Sequence, residues 1–397
     1  MVELLAADWV VTGVGPPLRD GVVAVEGGRI AWAGARGDAT RPPGAVRDLG
    51  RGVLLPGLVN AHCHLELSHL AAARDQGRRG FVAWVEALVD LRSRSDPGQA
   101  RSCVQTALRE LADTGTVAVA DVSNTLGHLE LLDASGLEAV VFYELLAWDP
   151  DRAETVLAEA RRRVEETSAR GVRTPVRLAA HAPHSVSPPL LRALARDGGP
   201  AAIHLAESDS EQRFLDGGDA EWNAFLGARG LGHVRFVPPR TTPVRYLDGL
   251  GALPAGLVAA HCVHVDAEER ALLARRGVFV AVCPRSNRTL GVGIPPVPEM
   301  LAAGIEVCLG TDSLASADSL DLLQDAAALR REFPSLDPAA IVRMATAAGA
   351  RALRLDDLGS IAPGQRAALA FAPAPSAVED SLAFLVSGAA RARRVET

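Results

Sequence analysis

Two histidines flank one cysteine in the segment His62-Cys63-His64, at the end of the apolar run 53–61. In a strand, residues two apart project from the same face. Both imidazoles therefore point together, with Cys63 turned away, and two imidazoles on one face can grip one divalent metal. Three further segments place polar ligand types at the end of a short apolar run: 201–207 with His204 and Glu207, 259–264 with His261 and His264, and 305–312 with Asp312. Three neutral imidazoles and a carboxylate suit one divalent ion, with Zn²⁺ first and Fe²⁺, Mn²⁺ or Co²⁺ as alternatives. Such an ion lowers the pKa of a bound water from 15.7 to roughly 7. His261 and His264 compete for a place beside the metal.

These groups need elements that bring strand ends together. The middle of the chain alternates short apolar runs with amphipathic stretches. The runs end near Ala61, Asp121, Glu144, Ala182, His204, Cys262, Cys283 and Thr311, and helical patterns cover 81–91, 101–112, 152–169 and 319–332. Eight strand–helix units predict an α/β chain folded as a (β/α)8 TIM barrel, whose chemistry sits at the C-terminal strand ends. A doubly wound open sheet is the alternative, but no Gly-rich phosphate turn follows the first strand. The first fifty residues are short β-like pieces broken by Gly and Pro, and this texture returns near 359–371. Residues 1–55 plus 355–397 are therefore expected to form a small composite β-sandwich domain around a catalytic barrel of residues 56–354.

Composition narrows the chemistry further. None of the 41 basic side chains is Lys; all are Arg. That excludes Schiff-base chemistry, a Walker P-loop and a carboxylated lysine bridging two metals. A net charge of -7 argues against an electrostatic nucleic-acid binder. No start resembling a signal peptide and no bilayer-length apolar run is present, so no membrane partner is expected. Five cysteines, odd in number and without CxxC, point to a reducing, cytoplasmic setting.

The ordered motifs 56–64 (PGLVNAHCH), 204–207 (HLAE), 261–264 (HCVH), 283–287 (CPRSN) and 309–313 (LGTDS) resemble the amidohydrolase superfamily. The likeness is to its branch of nucleoside and nucleobase deaminases and chlorohydrolases. It covers nearly the whole chain. The resemblance implies one divalent metal held by His62, His64, His204 and Asp312. It implies that Glu207 is the general acid/base, that His261, rather than His264, orients the attacking water, and that Asp312 takes a proton from it. His184, in the segment 181–185 (HAPHS), matches a substrate-contacting histidine. His69, His128 and His233 read as surface or structural.

For the substrate, the segment 64–68 (HLELS) with Phe81 and Trp84 resembles the bacterial aminodeoxyfutalosine deaminases of menaquinone biosynthesis. In deaminases of adenosyl-type thioethers an acidic residue precedes this Trp and binds ribose, and Ala83 stands there instead. The implied substrate carries a benzoate, and Arg285 is the expected bidentate partner of its carboxylate. Trp84, His184, Arg285 and Glu66 are thus the expected substrate contacts. The alternatives are another aminohydrolase (adenosine, methylthioadenosine, adenosylhomocysteine, guanine or cytosine), a triazine chlorohydrolase, or a non-catalytic metal-binding protein. The partner is a small molecule, and a homodimer is left open.

Overall fold

The chain is described from a computed structural model that covers residues 2–198, 201–231 and 237–396. His233 lies outside these described residues. Fifteen strands are found among the described residues. Five come first: β1 (Val2–Val10), β2 (Leu18–Glu26), β3 (Arg29–Ala35), β4 (Val46–Asp48) and β5 (Gly52–Pro56). Eight follow through the middle: β6 (Leu58–Cys63), β7 (Thr116–Ser123), β8 (Glu138–Leu145), β9 (Val176–Ala180), β10 (Ala201–Leu205), β11 (Leu257–His261), β12 (Phe279–Val282) and β13 (Glu306–Leu309). The last two are β14 (Leu369–Pro373) and β15 (Arg393–Val395).

The eight middle strands form two parallel four-stranded sheets, β6-β7-β8-β9 and β10-β11-β12-β13. Parallel pairing requires a crossover between neighbours, and helices such as Pro97–Asp113, Ala153–Ala169 and Ala267–Arg276 supply it. The two sheets touch at two seams. At one, His204 N–H donates to the His181 carbonyl at 2.8 Å, just beyond β9. At the other, the Thr311 and Asp312 N–H groups reach the His62 carbonyl at 3.1 and 3.0 Å, and Cys63 bridges Asp312 in parallel register. One core cluster draws small side chains from all eight strands, among them Ala61, Ala120, Val140, Ala179, Ala202, Val258, Ala281 and Cys308. Small Ala and Val residues let the strands approach one another around a shared interior.

The terminal strands join in one seven-stranded sheet, in the order β15-β14-β5-β1-β2-β3, with β4 paired to β1. The strands expected to form the composite sandwich are thus joined by one continuous hydrogen-bonded path. The C-terminal chain returns to the N-terminal part through β14, which pairs antiparallel with β5 from Leu369–Pro56 to Pro373–Gly52. Leu5, Val10, Val23, Ile30, Leu54, Ile361, Leu369 and Phe371 close a common core between the two ends. All five cysteines are free thiols. No helix among the described residues is long and apolar enough to cross a membrane.

Candidate metal centre and active site

Both seams lie at the C-terminal strand ends, and the chemistry-bearing side chains gather there. His62 ends β6, His64 follows it, His204 lies on β10, His261 ends β11 and Asp312 follows β13. The ligand atoms of His62, His64 and His204 all lie within 4.8 Å of one another. His64 Nε2 and His204 Nε2 are 3.1 Å apart. Two nitrogens bound at ~2.0 Å to one tetrahedral ion stand about 3.3 Å apart, close to this spacing. Asp312 Oδ1 is 3.9 Å from His62 Nε2 and 3.7 Å from His64 Nε2. His62 Nε2 is buried and has no hydrogen-bond partner among the described residues. A buried orphan nitrogen that faces two other imidazoles and a carboxylate fits a divalent ion.

The backbone bends sharply to reach this geometry. Ala206, His261, Cys262 and Asp312 have φ values of 50, 71, 48 and 60°. This left-handed region costs non-glycine residues roughly 1–3 kcal/mol each and is enriched at functional sites. At Asp312 the turn is locked by its N–H on the His62 carbonyl and by His64 N–H on its own carbonyl, at 3.0 and 3.1 Å. Gly310 is required beside it, because a Cβ there would stand 2.8 Å from both the Cβ and the carbonyl oxygen of His62.

Two of the candidate ligands, Asp312 and His204, are oriented from behind. Asp312 Oδ2 accepts the Ser286 and Ser316 hydroxyls at 2.6 and 2.7 Å, which leaves Oδ1 toward the histidines. Burial opposes its charge, but His64 and His261 hold its carboxyl below the usual carboxylate range. Burial drives His62 well below the ordinary imidazole value and lowers His64 as well, so both stay neutral. His204 differs. Burial disfavours its cation, but the hydrogen bond and charge of Glu144 push it up to about 9. Its Nδ1 lies 3.0 Å from the His181 carbonyl and 3.2 Å from Glu144 Oε1. A carboxylate behind a ligand histidine fixes its tautomer and ring orientation.

Glu207 follows β10 and precedes the Ser208 cap of the helix Asp209–Asp216. Burial pushes its carboxyl up to about 8; His204 opposes the shift, and Asp312 and Glu211 add to it. At neutral pH it is a carboxylic acid, able to give a proton. Burial pulls His261 down to about 4. Asn287 Oδ1 can only accept, so His261 Nδ1 donates to it at 2.8 Å. The other ring nitrogen then turns a lone pair toward Glu207 Oε1, 3.5 Å away. His264 Nε2 lies 2.9 Å from the Val292 carbonyl, whereas the His261 ring stands 5.5 Å from His62 and 5.6 Å from His204.

A cavity of about 270 Å³ opens onto this floor and is lined by His64, His204, Glu207, His261 and Asp312. Its walls are aromatic: Phe81, Trp84, Trp148, Trp222 and Phe225. Trp84 is pinned by its Nε1–H on the Ala315 carbonyl at 2.9 Å. His184 packs 5.0 Å from the Trp222 ring, and its Nδ1 stands 3.7 Å from Glu211 Oε1. Trp84 and His184, both expected to contact substrate, lie on the cavity wall.

Two expected contacts do not. Arg285 does not line this cavity; its guanidinium is bound to the fully buried Asp325 at 2.7 Å, to Asp318 at 2.7 Å and to the Ser319 carbonyl at 2.8 Å. Every edge of the fork is already occupied, so it cannot receive a substrate carboxylate. Glu66 is also turned away. The strand ends at Cys63, a 3₁₀ segment starts at Leu65, and the alternation that would aim Glu66 with His64 stops there. Its carboxylate accepts the Ser123 and Thr125 hydroxyls at 2.7 and 2.8 Å and the Asn124 N–H at 2.9 Å, and it pairs with Arg92 at 3.1 Å. Burial opposes its charge, but Arg92 and these bonds hold it below the usual range. Arg92 in turn donates to Asn124 Oδ1 at 3.0 Å, and Asn124 Nδ2 donates to Glu144 Oε2 at 2.8 Å. A continuous polar wall thus runs from Glu66 to His204. Its members Asn124 and Glu144, like Trp222 and Glu211, carry no motif signal of their own.

A cluster of three histidines and an aspartate at parallel-strand ends, beside an aromatic-walled cavity, suits a divalent metal, and the chain's family and relatives mark it as a hydrolase acting on C–N bonds. The chain belongs to the amidohydrolase family, which matches residues 53–388. It is 35% identical over 370 residues to an aminodeoxyfutalosine deaminase of Deinococcus radiodurans, covering 88% of this chain and 85% of the relative. It is 31% identical over 393 residues to a 5-methylthioadenosine/S-adenosylhomocysteine deaminase of Pelotomaculum thermopropionicum, covering 92% and 83%. Its fold is similar to the crystal structure of Helicobacter pylori aminofutalosine deaminase in complex with methylthio-coformycin, with a TM-score of 0.84, 23% identity, and 97% and 95% of the two chains covered.

Proposed function

We propose that this chain is a mononuclear, metal-dependent hydrolytic deaminase of an aminopurine nucleoside, and that its substrate is 6-aminodeoxyfutalosine of menaquinone biosynthesis. The observation that carries the reading is the buried Glu207 carboxyl 3.5 Å from His261 Nε2, on one cavity floor with His64, His204 and Asp312 and with His62 packed against these rings. We further infer that the two parallel sheets are halves of one (β/α)8 barrel at 56–354, with 1–55 and 355–397 forming a composite β-domain. The shared interior cluster and the hydrogen bonds at both seams support this. Five free thiols accord with a cytoplasmic site of action.

His62, His64, His204 and Asp312 would hold a divalent ion, Zn²⁺ first, which when bound would provide a water that is nucleophilic at neutral pH. The aromatic walls hold the purine so that its amino-bearing carbon faces this floor. Glu207 gives its proton to the adjacent ring nitrogen and makes that carbon electrophilic. Asp312 accepts the first proton of the attacking water, while His261 orients the water. Glu207 then recovers a proton from the new hydroxyl as the carbonyl forms. The amino group leaves as ammonia with the proton that Asp312 accepted. General acid–base help of this kind is worth roughly 10²–10⁴-fold.

The likeness to a methylthioadenosine/adenosylhomocysteine deaminase favours those thioethers as the second reading. Ala83 before Trp84 counts against it. The test is ammonia release by the Zn-loaded protein from 6-aminodeoxyfutalosine, methylthioadenosine, adenosylhomocysteine, adenosine, guanine, cytosine and a chlorotriazine. Preferential release from 6-aminodeoxyfutalosine is expected. Preference for another member would discard the substrate and keep the mechanism, and silence across the panel would discard the mechanism.

A further inference from the structure

With Arg285 committed to Asp325, two arginines line the cavity among the described residues, Arg92 and Arg229. They are in different electrostatic situations. Arg92 is matched by Glu66, a buried carboxylate fixed by four further hydrogen bonds from Ser123, Asn124 and Thr125. Its charge is spent inside the protein. Arg229 follows the helix Ala220–Ala228 and reaches across to the helix Phe81–Ser93. Its Nη2 donates to Asp90 at 3.1 Å, but the Asp90 side chain is 56% exposed, so water screens that pair and it is worth little. Its Nε is buried with no partner among the described residues. Its guanidinium carbon stands 4.6 Å from the centre of the Phe225 ring, which fixes the plane of the fork.

The rim of the same cavity is apolar. Val89 and Leu146 are exposed at 37% and 43%, and both line this cavity, whose floor residues His64, Glu207, His261 and Asp312 are buried. They mark its mouth. An apolar rim and a guanidinium with an unused N–H in one cavity suit a group with an apolar body and an anionic end. A purely apolar arm would leave the Nε–H unpaired, a neutral acceptor would leave the cation unmatched, and a wholly polar arm would leave the rim bare.

We propose that Arg229, with Val89 and Leu146, forms a subsite for a carboxylate carried on an apolar, aryl arm of the substrate. The inference rests on the deaminase reading above and adds the residue that reads the far end of the molecule. Arg229 is a binding residue here, not part of the deaminating machinery.

The test compares Arg229→Gln with the wild type on two substrates, 6-aminodeoxyfutalosine and its counterpart with the benzoate converted to a primary amide. A charge-assisted pair lost from the carboxylate substrate is expected to raise its KM by at least about tenfold, with kcat retained. On the amide the two proteins should agree to within about twofold, which also certifies that the variant is folded. An equal loss on both substrates would overturn the proposal and reduce Arg229 to a brace between two helices. Equal KM values for the two proteins on the carboxylate would overturn it as well. If the wild type deaminates neither substrate but does deaminate another aminopurine, the substrate assignment fails and the subsite falls with it.

Discussion

Glu144→Gln is expected to change how metal binding depends on pH. Without metal, burial disfavours a charged His204, but Glu144 pushes it up to about 9. Only the neutral imidazole can bind an ion, so proton and metal compete for this residue. The proton stabilises the metal-free form, and raising the pH therefore favours binding. At pH 7 the competition lowers affinity roughly 100-fold relative to its value well above pH 9. Affinity should climb about tenfold per pH unit and level off near pH 9, with about one proton released per ion bound at neutral pH. The Gln variant removes the charge that holds the proton. Burial is then opposed only by the smaller pull of Glu207 and Asp312, His204 falls toward its neutral form, and the slope above neutral pH flattens. The variant also loses an orienting partner, at a cost of roughly 10–100-fold in affinity. The two effects oppose one another at pH 7, where the proteins should converge, and separate at high pH, where the wild type should bind more tightly. Calorimetric titration with Zn²⁺ against a competing chelator, in buffers of different ionisation enthalpy, reads both affinity and proton release. Parallel affinity curves for the two proteins, with equal proton release, would refute the reasoning.

Two other substitutions separate chemistry from structure. Because burial pushes Glu207 up to about 8, activity should fall as the pH rises through that value and the acid loses the proton it must give. Glu207→Gln should lose roughly 10²–10⁴-fold in kcat with metal content unchanged and without that alkaline limb; a variant that keeps the limb would remove Glu207 from the acid's role. Arg285→Ala leaves Asp325 buried and unpaired, and should cost about 3–5 kcal/mol of unfolding free energy in a urea titration. The folded fraction should keep its KM for a carboxylate substrate, and a selective rise would return Arg285 to the binding site.

The parts of the site that could be read from the sequence are those written in local patterns. His62 and His64 are two apart at a strand end, and His204, His261 and Asp312 each close a short apolar run, so strand geometry alone sends them to one end of the sheets. Where local geometry changes, the reading fails. Arg285 sits in the same motif as Ser286 and Asn287, which reach Asp312 and His261, but the three residues are on a helix. Consecutive helical residues point about 100° apart, and Arg285 turns to Asp325 instead. Glu66 fails in the same way, because the strand period ends before it. Asn124, Glu144 and Arg229 were illegible for another reason. Their roles come from partners distant in sequence, 32 residues for Arg92–Asn124 and 20 for Asn124–Glu144, and no spacing rule connects them. The terminal sheet was legible as β-structure from its Gly-broken alternation, whereas its single-sheet order depends on how β14 returns to β5.

The cavity is built from two kinds of material. Its floor rests on sharply bent strand ends at Ala206, His261, Cys262 and Asp312, held by bonds within and between the sheets. Much of its mouth comes from the helices Phe81–Ser93 and Ala220–Ala228, which contribute Val89, Arg92, Phe225 and the adjoining Arg229. A lineage that inherits the floor can exchange the mouth. Substitutions in these two helices alter which molecule enters and leave untouched the bond that is cut, so new substrates can be acquired by drift at the surface while the reaction itself is passed on intact.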